Sequence, residues 1–199
     1  NVWTSWAARN ESGESEIMAS KLVQSDADLK QQAVVCSSPG RAENPAIATG
    51  LTRKYVVWQD KRAGNWDIYF ASSIDGTNWS EPVRISDPNG NQTMPAIAVT
   101  DEATATIYVA WEDDRDGNAD IYVAETTALT ADPAEQQAPS VAVDPSDNAY
   151  IAWTETESGR SDIYMATNSS GDWQNGQVTD NQHTQSAVRI ACGPTEHVH

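Results

Sequence analysis

Three twelve-residue segments of this chain align without a gap: Trp58-Gln-Asp-Lys-Arg-Ala-Gly-Asn-Trp-Asp-Ile-Tyr, Trp111-Glu-Asp-Asp-Arg-Asp-Gly-Asn-Ala-Asp-Ile-Tyr and Trp153-Thr-Glu-Thr-Glu-Ser-Gly-Arg-Ser-Asp-Ile-Tyr. A chain that repeats at this length builds one supersecondary unit several times and buries its apolar faces by stacking the copies. A fourth, looser copy starts at Trp6, passes Gly13 and reaches Glu16-Ile17-Met18, with one residue inserted before the glycine.

Ahead of each motif stands an apolar run, Tyr55 to Trp58, Ile107 to Trp111 and Tyr150 to Trp153. Ahead of that run come Pro45-Ala-Ile-Ala, Pro95-Ala-Ile-Ala and Pro139-Ser-Val-Ala. The pair predicts two strands with a turn between them. Asp-Ile-Tyr opens a third strand, and segments such as Pro82-Val-Arg-Ile-Ser supply a fourth. The Asp, Arg, Gly and Asn between the second and third strands have the chemistry of a hairpin tip, where glycine takes a positive φ without a Cβ clash.

Trp6 and Trp58 are 52 residues apart, Trp58 and Trp111 53, and Trp111 and Trp153 42. Periods of this size with four strands each predict an all-β chain, a β-propeller with four blades of four antiparallel strands. Ser186-Ala-Val-Arg-Ile-Ala resembles the first strand of a further unit. The stretch after Trp153, joined to the residues before Trp6, has the length of one unit. Residues Ser186 to His199 are therefore expected beside the opening residues, in a blade shared between the termini, which would pair both exposed edges and tie the ring shut. The expected units of this single domain are 186–199 with 1–40, then 41–90, 91–136 and 137–185. An eight-unit ring of two chains, or a piece of a longer array, are the alternatives.

The segment Ser72-Ser-Ile-Asp75-Gly76-Thr-Asn-Trp79 resembles the Asp-box turn of the sialidase-type propellers, also called the bacterial neuraminidase repeat, with the Asp displaced by one position. Ser169-Ser-Gly-Asp-Trp173 is a more decayed version. The resemblance implies that the box is a hairpin turn between the third and fourth strands of a blade. It implies fold rather than activity. Sialidases of this kind have six blades, three arginines gripping the substrate carboxylate, and a Tyr nucleophile assisted by Glu with an acid Asp. This chain has four units, and Arg84-Ile85-Ser86 is a poor substitute for the family's Phe/Tyr-Arg-Ile-Pro motif, so no catalytic residue carries over.

Twenty-nine acidic against twelve basic residues give a formal charge of −17, which repels nucleic-acid backbones and anionic lipid surfaces. That acidity fits solubility, divalent cation binding or a salty habitat. No apolar run approaches the roughly 18 residues of a membrane span, so no membrane insertion is expected. The opening Asn1-Val2-Trp3-Thr4-Ser5 lacks the basic and apolar regions of a secretory leader. The expectation is a secreted or cell-surface protein, extracellular or periplasmic, whose leader has been removed. Cys36 and Cys192 lack the spacing of a zinc or redox site, leaving one disulfide or two free thiols.

Trp6, Trp58, Trp111 and Trp153 occupy equivalent positions and are expected to pack between blades. Asp67, Asp120 and Asp162 open the third strand of their units and are expected to accept hydrogen bonds from turn amides or from Arg62 or Arg115. Asp114, Asp116, Asn118 and Asp120 place oxygens at alternate positions, a spacing that lets a loop wrap calcium. Trp66, on a hairpin tip, is a candidate for stacking on a sugar, with Arg62, Arg115 and Arg189 as further ligand-binding candidates.

Catalysis needs unlike residues converging on one spot, whereas the salient polar residues here recur from unit to unit. The expectation is a non-catalytic extracellular binding or scaffold propeller, monomer or dimer, holding a glycan, a protein or a cation, with no cofactor required other than calcium. The rivals are a sialidase-like glycoside-acting enzyme using Arg189, Arg84 or Arg53, and a structural unit of a surface assembly.

Overall fold

A computed structural model describes residues 2–22, 31–101, 105–124, 127–130 and 133–193, and no helix occurs among them. The first sheet contains β1 (Val2–Arg9), β2 (Ser15–Leu22) and β3 (Gln31–Ser38). The second contains β4 (Ala42–Thr49), β5 (Lys54–Asp60), β6 (Asp67–Ser73) and β7 (Val83–Arg84). The third contains β8 (Gln92–Val99), β9 (Ile107–Asp113), β10 (Asp120–Val123) and β11 (Thr127–Ala128). The fourth contains β12 (Glu135–Val143), β13 (Ala149–Glu157), β14 (Arg160–Thr167) and β15 (Gln174–Gln177). Each is an antiparallel meander in chain order, so each repeat makes its own sheet from local pairings.

The strand that opens the second, third and fourth sheets carries the same irregularity in each. Register shifts fall between Glu43 and Ala46, Thr93 and Ala96, and Gln137 and Ser140. At their centres Asn44, Met94 and Ala138 have positive φ of 49, 52 and 53°. A bulge of this kind bends the strand and re-aims its side chains, and the proline that follows in each copy cannot donate to the ladder it interrupts.

Apolar alternation places the core between sheets. Ile17, Ala19, Val35 and Cys36 of the first sheet pack with Val56, Trp58, Tyr69 and Ala71 of the second. Tyr55, Val57 and Ile68 pack with Ile97, Val109, Trp111 and Tyr122. Ala110, Ile121 and Val123 pack with Ile151, Trp153 and Ala166. Because β5 is covered on both faces, it reads as a continuous buried run from Tyr55 to Asp60 rather than an alternating one. Trp58, Trp111 and Trp153 are 0, 0 and 1 % exposed, whereas Trp6 on β1 remains partly exposed.

The sequence resembling an Asp-box links β6 to β7, the third and fourth strands of its sheet. Asp75 accepts hydrogen bonds from the Thr77 and Asn78 amides, both at 2.8 Å, and from Ser73 Oγ at 3.0 Å and Asn78 Nδ2 at 2.7 Å. The Asn78 and Thr77 donors hold its carboxyl well below the usual carboxylate range. Gly76, at φ +81°, lies under the ring of Trp3, where a Cβ would stand 1.9 Å from the indole. Trp3 thus ties β1 to this turn.

One expectation needs correction. The first sheet has three strands among the described residues, not four. Residues 186–192 form no ladder with β1; they carry an isolated bridge at Cys192, and the Ile190 amide donates to Ser140 Oγ on β12 at 3.2 Å. Residues 194–199, also assigned to that shared blade, lie outside the described residues. Of the two alternatives left open for the cysteines, the structure has the second: Cys36 and Cys192 are both free thiols. Cys36 is packed between the first and second sheets, where Arg62 Nη2 donates to its Sγ at 2.9 Å, while Cys192 follows the segment that leans on β12. Burial pushes both thiols upward in pKa.

Candidate functional site

The second and third sheets share a four-residue stack that the repeat encodes. Trp58 Nε1 donates to Asp60 Oδ2 at 3.2 Å, and Trp111 Nε1 donates to Asp113 Oδ2 at 3.1 Å. The same carboxylates hold Arg62 and Arg115, through the arginine amides at 2.9 and 3.1 Å and through the guanidinium groups. Each guanidinium then lies over a tyrosine, 4.5 Å from the Tyr69 ring and 4.3 Å from the Tyr122 ring. Those tyrosines stack on Trp58 and Trp111 at 6.2 and 6.4 Å. The hydrogen bond to Asp113 holds Arg115 above its ordinary pKa, and burial with the Asp116 contact pushes Tyr122 up to about 12. Arg62 and Arg115, expected among the ligand-binding residues, are committed to this stack.

Asp67, Asp120 and Asp162 do a different job from the one expected. They accept from Ser86 Oγ at 3.5 Å, Thr130 Oγ1 at 3.2 Å and Thr179 Oγ1 at 3.2 Å. Those hydroxyls in turn accept the amides of Ile68, Ile121 and Ile163 at 2.9, 3.0 and 2.9 Å. The carboxylate therefore pins the link that leaves its sheet, and Arg62 and Arg115 belong to the earlier Asp60 and Asp113. Burial pushes the Asp67 carboxyl upward despite Arg84 at 3.6 Å.

The alternate oxygens of the third hairpin do not converge. Asp114 accepts from the Asn91 amide and side chain, Asp116 from Tyr122 Oη at 2.8 Å and Asp120 from Thr130, while Asn118 Nδ2 donates to the Ala134 carbonyl at 3.0 Å. Among the described residues no group of three or more His, Cys, Asp or Glu is placed to hold a metal ion. Trp66 has Arg41 and Lys61 at 5.7 and 5.6 Å from its ring, so a sugar stacking there meets two cations. Arg53 reaches Ser72 Oγ at 3.4 Å, Arg84 pairs with Asp67, and Arg189 donates to the Val188 carbonyl at 2.7 Å.

Several cavities open among the described residues, and two of them adjoin residues singled out by the sequence. The larger, about 390 Å³, is ringed by the bulges of β4, β8 and β12, with Asn44, Met94, Pro95, Ala138 and Pro139 in its wall and Arg189 as its one charged residue. Asn44 Nδ2 and the Met94 amide both donate to Gln59 Oε1, at 3.0 and 2.9 Å, and the Ala138 amide donates to Glu112 Oε1 at 2.6 Å. These bonds lock the positive-φ residues, so the wall is preformed. The smaller cavity, about 230 Å³, opens at the fourth hairpin between Glu155, Glu157, Arg160, Asp162, Tyr164 and Gln177. Sequence reasoning singled out Arg189 and Asp162 but not the rest of either lining; the signal available for the second cavity was the change from Asp60 and Asp113 to Glu155.

No protein-family model matches the chain, and no curated protein matches it. Among solved structures, a xylan β-1,4-xylosidase from Bacillus halodurans C-125 is similar at a TM-score of 0.43 and 13% identity, over 87% of this chain and 39% of that one. The chain thus spans well under half the length of that enzyme. What these residues establish by themselves is an all-β chain of four antiparallel sheets in sequence, built on a repeated Trp-Asp-Arg-Tyr stack in its second and third sheets.

Proposed function

We propose that the chain is a non-catalytic binding module with the blade plan of the sialidase-type propellers, taking an acidic glycan in the cavity at its inner strands. The observation that carries this is the cavity of about 390 Å³, walled by three preformed bulges and holding Arg189 as its only charge. A guanidinium at the wall of a concavity that mixes polar and apolar lining suits a sugar, whose carboxylate it can grip bidentately. The closed-ring plan belongs to the same proposal. In its support, Ala187 has φ +57°, matching Asn44, Met94 and Ala138. The Gln185 amide also donates to the Ser161 carbonyl at 2.8 Å, as Gln92 does to Trp66 and Gln136 to Ala119. Gln185 and Ala187 thus repeat two backbone features of the opening strands β8 and β12.

Titration of the protein with sialyllactose, and with lactose as the neutral control, tests the binding. Sialyllactose is expected to bind and lactose not, and Arg189→Ala is expected to weaken binding about tenfold, the worth of one good charge-assisted contact. Equal affinity for both sugars, or no effect of the substitution, would overturn the assignment. A glycoside-acting role is favoured by one observation, the three carboxylates of Glu155, Glu157 and Asp162 sharing a cavity with Tyr164. Turnover of fluorogenic glycosides that Glu155→Gln abolishes would establish that role instead.

A further inference from the structure

The packing of the first sheet on the second and that of the third on the fourth are built alike around a turn. Three positions before the strand tryptophan stand Trp3 on β1 and Tyr108 on β9. In the sheet that follows each, Lys54 corresponds to Ala149, four positions before its tryptophan, and Gly76 to Gly171, eighteen positions after it. Both glycines take the left-handed form, at φ 81 and 99°. Trp79 and Trp173 follow them and pack against the core between their own pair of sheets. In the first pair the chain fills the space at the turn itself. A Cβ on Gly76 would meet the Trp3 indole at 1.9 Å, and Lys54 Nζ stands 5.6 Å from the centre of that ring.

The other pair keeps the turn and loses the filling. Tyr108 meets Trp173 edge to face, at 6.5 Å and 87°, and among the described residues no atom lies within 4 Å of a Cβ built on Gly171. Ala149 in the place of Lys54 takes the ammonium away. A cavity of about 270 Å³ opens between Tyr108, Val109 and Val123 of the third sheet and Asn168 and Trp173, which bracket the turn of the fourth. Ligand pockets for drug-sized molecules run to roughly 300–1,000 Å³, so this one takes a single ring system. Its polar corner is fixed in place. Asn168 Oδ1 accepts the Ala149 amide at 2.8 Å, and Asn168 Nδ2 donates to Tyr108 Oη at 3.3 Å. A phenolic oxygen has the capacity to accept a further bond beside that one.

We infer that this cavity is a receptor for an indole supplied from outside the chain, the side chain of a tryptophan in a partner polypeptide. The cavity alone would not carry this. The second observation is that the same molecule seats an indole of its own at the equivalent turn, against the equivalent glycine. The incoming ring would pack against Tyr108 and Trp173 and donate its N–H to Tyr108 Oη. A pyranose suits the cavity less, because each hydroxyl it buries needs a partner and the Asn168 and Tyr108 side chains are already bonded to each other. The site shares no lining residue with the cavity at the inner strands, and neither depends on the other.

The test is an NMR titration of the Trp173 indole N–H, on indole-labelled protein, with unlabelled N-acetyl-tryptophanamide, its 1-methylindole analogue, free tryptophan and methyl glucoside. N-acetyl-tryptophanamide is expected to shift the Trp173 signal and to bind several-fold more tightly than the methylated analogue, the worth of one neutral hydrogen bond. Methyl glucoside is expected to leave the signal unmoved, and free tryptophan to bind no more tightly than the blocked form. Tyr108→Trp, which returns the residue of the first sheet, is expected to abolish the response. Tyr108→Phe is expected to bring the blocked indole down to the affinity of its methylated analogue. No shift at Trp173 with N-acetyl-tryptophanamide, an equal response to methyl glucoside, tighter binding of free tryptophan, or a full response in Tyr108→Trp would each overturn the inference. Loss of the Trp58 and Trp111 signals in Tyr108→Trp would mark misfolding, and Tyr108→Phe then decides: levelled affinities support the site and an unchanged preference for the indole N–H contradicts it.

Discussion

Asp113→Ala is expected to lower the melting temperature by roughly 6–20 °C, the consequence of a loss of about 3–5 kcal/mol when one partner of a buried pair is removed from a chain of this size. Asp113 is 1 % exposed and accepts from the Trp111 indole, from the Arg115 amide and from two nitrogens of the Arg115 guanidinium. Alanine leaves that guanidinium inside the hairpin with only Asp87, 3.8 Å away and partly exposed, as counter-charge. It also releases the turn that ends β9. Differential scanning calorimetry reads the outcome; a shift within a degree or two would show that the stack does not hold the third sheet.

Trp58→Ala should cost a similar amount, about 3–5 kcal/mol, the usual range for truncating a large buried aromatic. Its indole is 0 % exposed in the core between the first and second sheets, packed with Ile17, Val35 and Cys36 and stacked on Tyr69. The cavity would open between sheets, where little backbone can move in to fill it. Trp6→Ala, at the same repeat position, should cost about 1 kcal/mol, since that side chain stays partly exposed and the position of Asp60 is taken by Ala8, which offers its indole no acceptor. Denaturant unfolding of the two variants checks the contrast. Equal losses would mean that the first sheet is sealed as tightly as the second.

The sheets were legible in the sequence because their pairings are local. Trp58, Trp111 and Trp153 mark second strands, Asp-Ile-Tyr marks third strands, and the turns between them are rich in Gly, Asp and Asn, so hydrophobic period and turn chemistry agree. The fourth sheet starts at Glu135 rather than at 137, a shift small enough to leave the unit intact. What lay beyond reach was which of two acids takes the arginine. Asp67, Asp120 and Asp162 recur with their neighbours and attract attention, yet they face the Ser or Thr of the outgoing link. Asp60 and Asp113 look like ordinary turn residues until the Trp, Arg and Tyr they join are seen in space.

At Asp114, Asp116, Asn118 and Asp120 the alternate spacing would bring oxygens together only where the loop wraps a centre. In the structure each of these residues bonds a separate neighbour. The expected partner of β1 was the most non-local pairing in the chain, with the entropy of closing nearly the whole length against it. Nothing in the local pattern could fix its register. The inner-strand cavity was equally hidden, since its wall draws one short segment from each of several units and only Arg189 stood out in sequence.

Hydrogen exchange of the four strand-tryptophan indoles, followed by NMR on indole-labelled protein, tests most directly whether the Trp-acid-Arg-Tyr stack organises this fold. Trp58 and Trp111, bonded to Asp60 and Asp113, should exchange slowest, Trp153 faster through its longer contact with Glu155, and Trp6 fastest. Equal protection at all four positions, or greatest protection at Trp6, would contradict it.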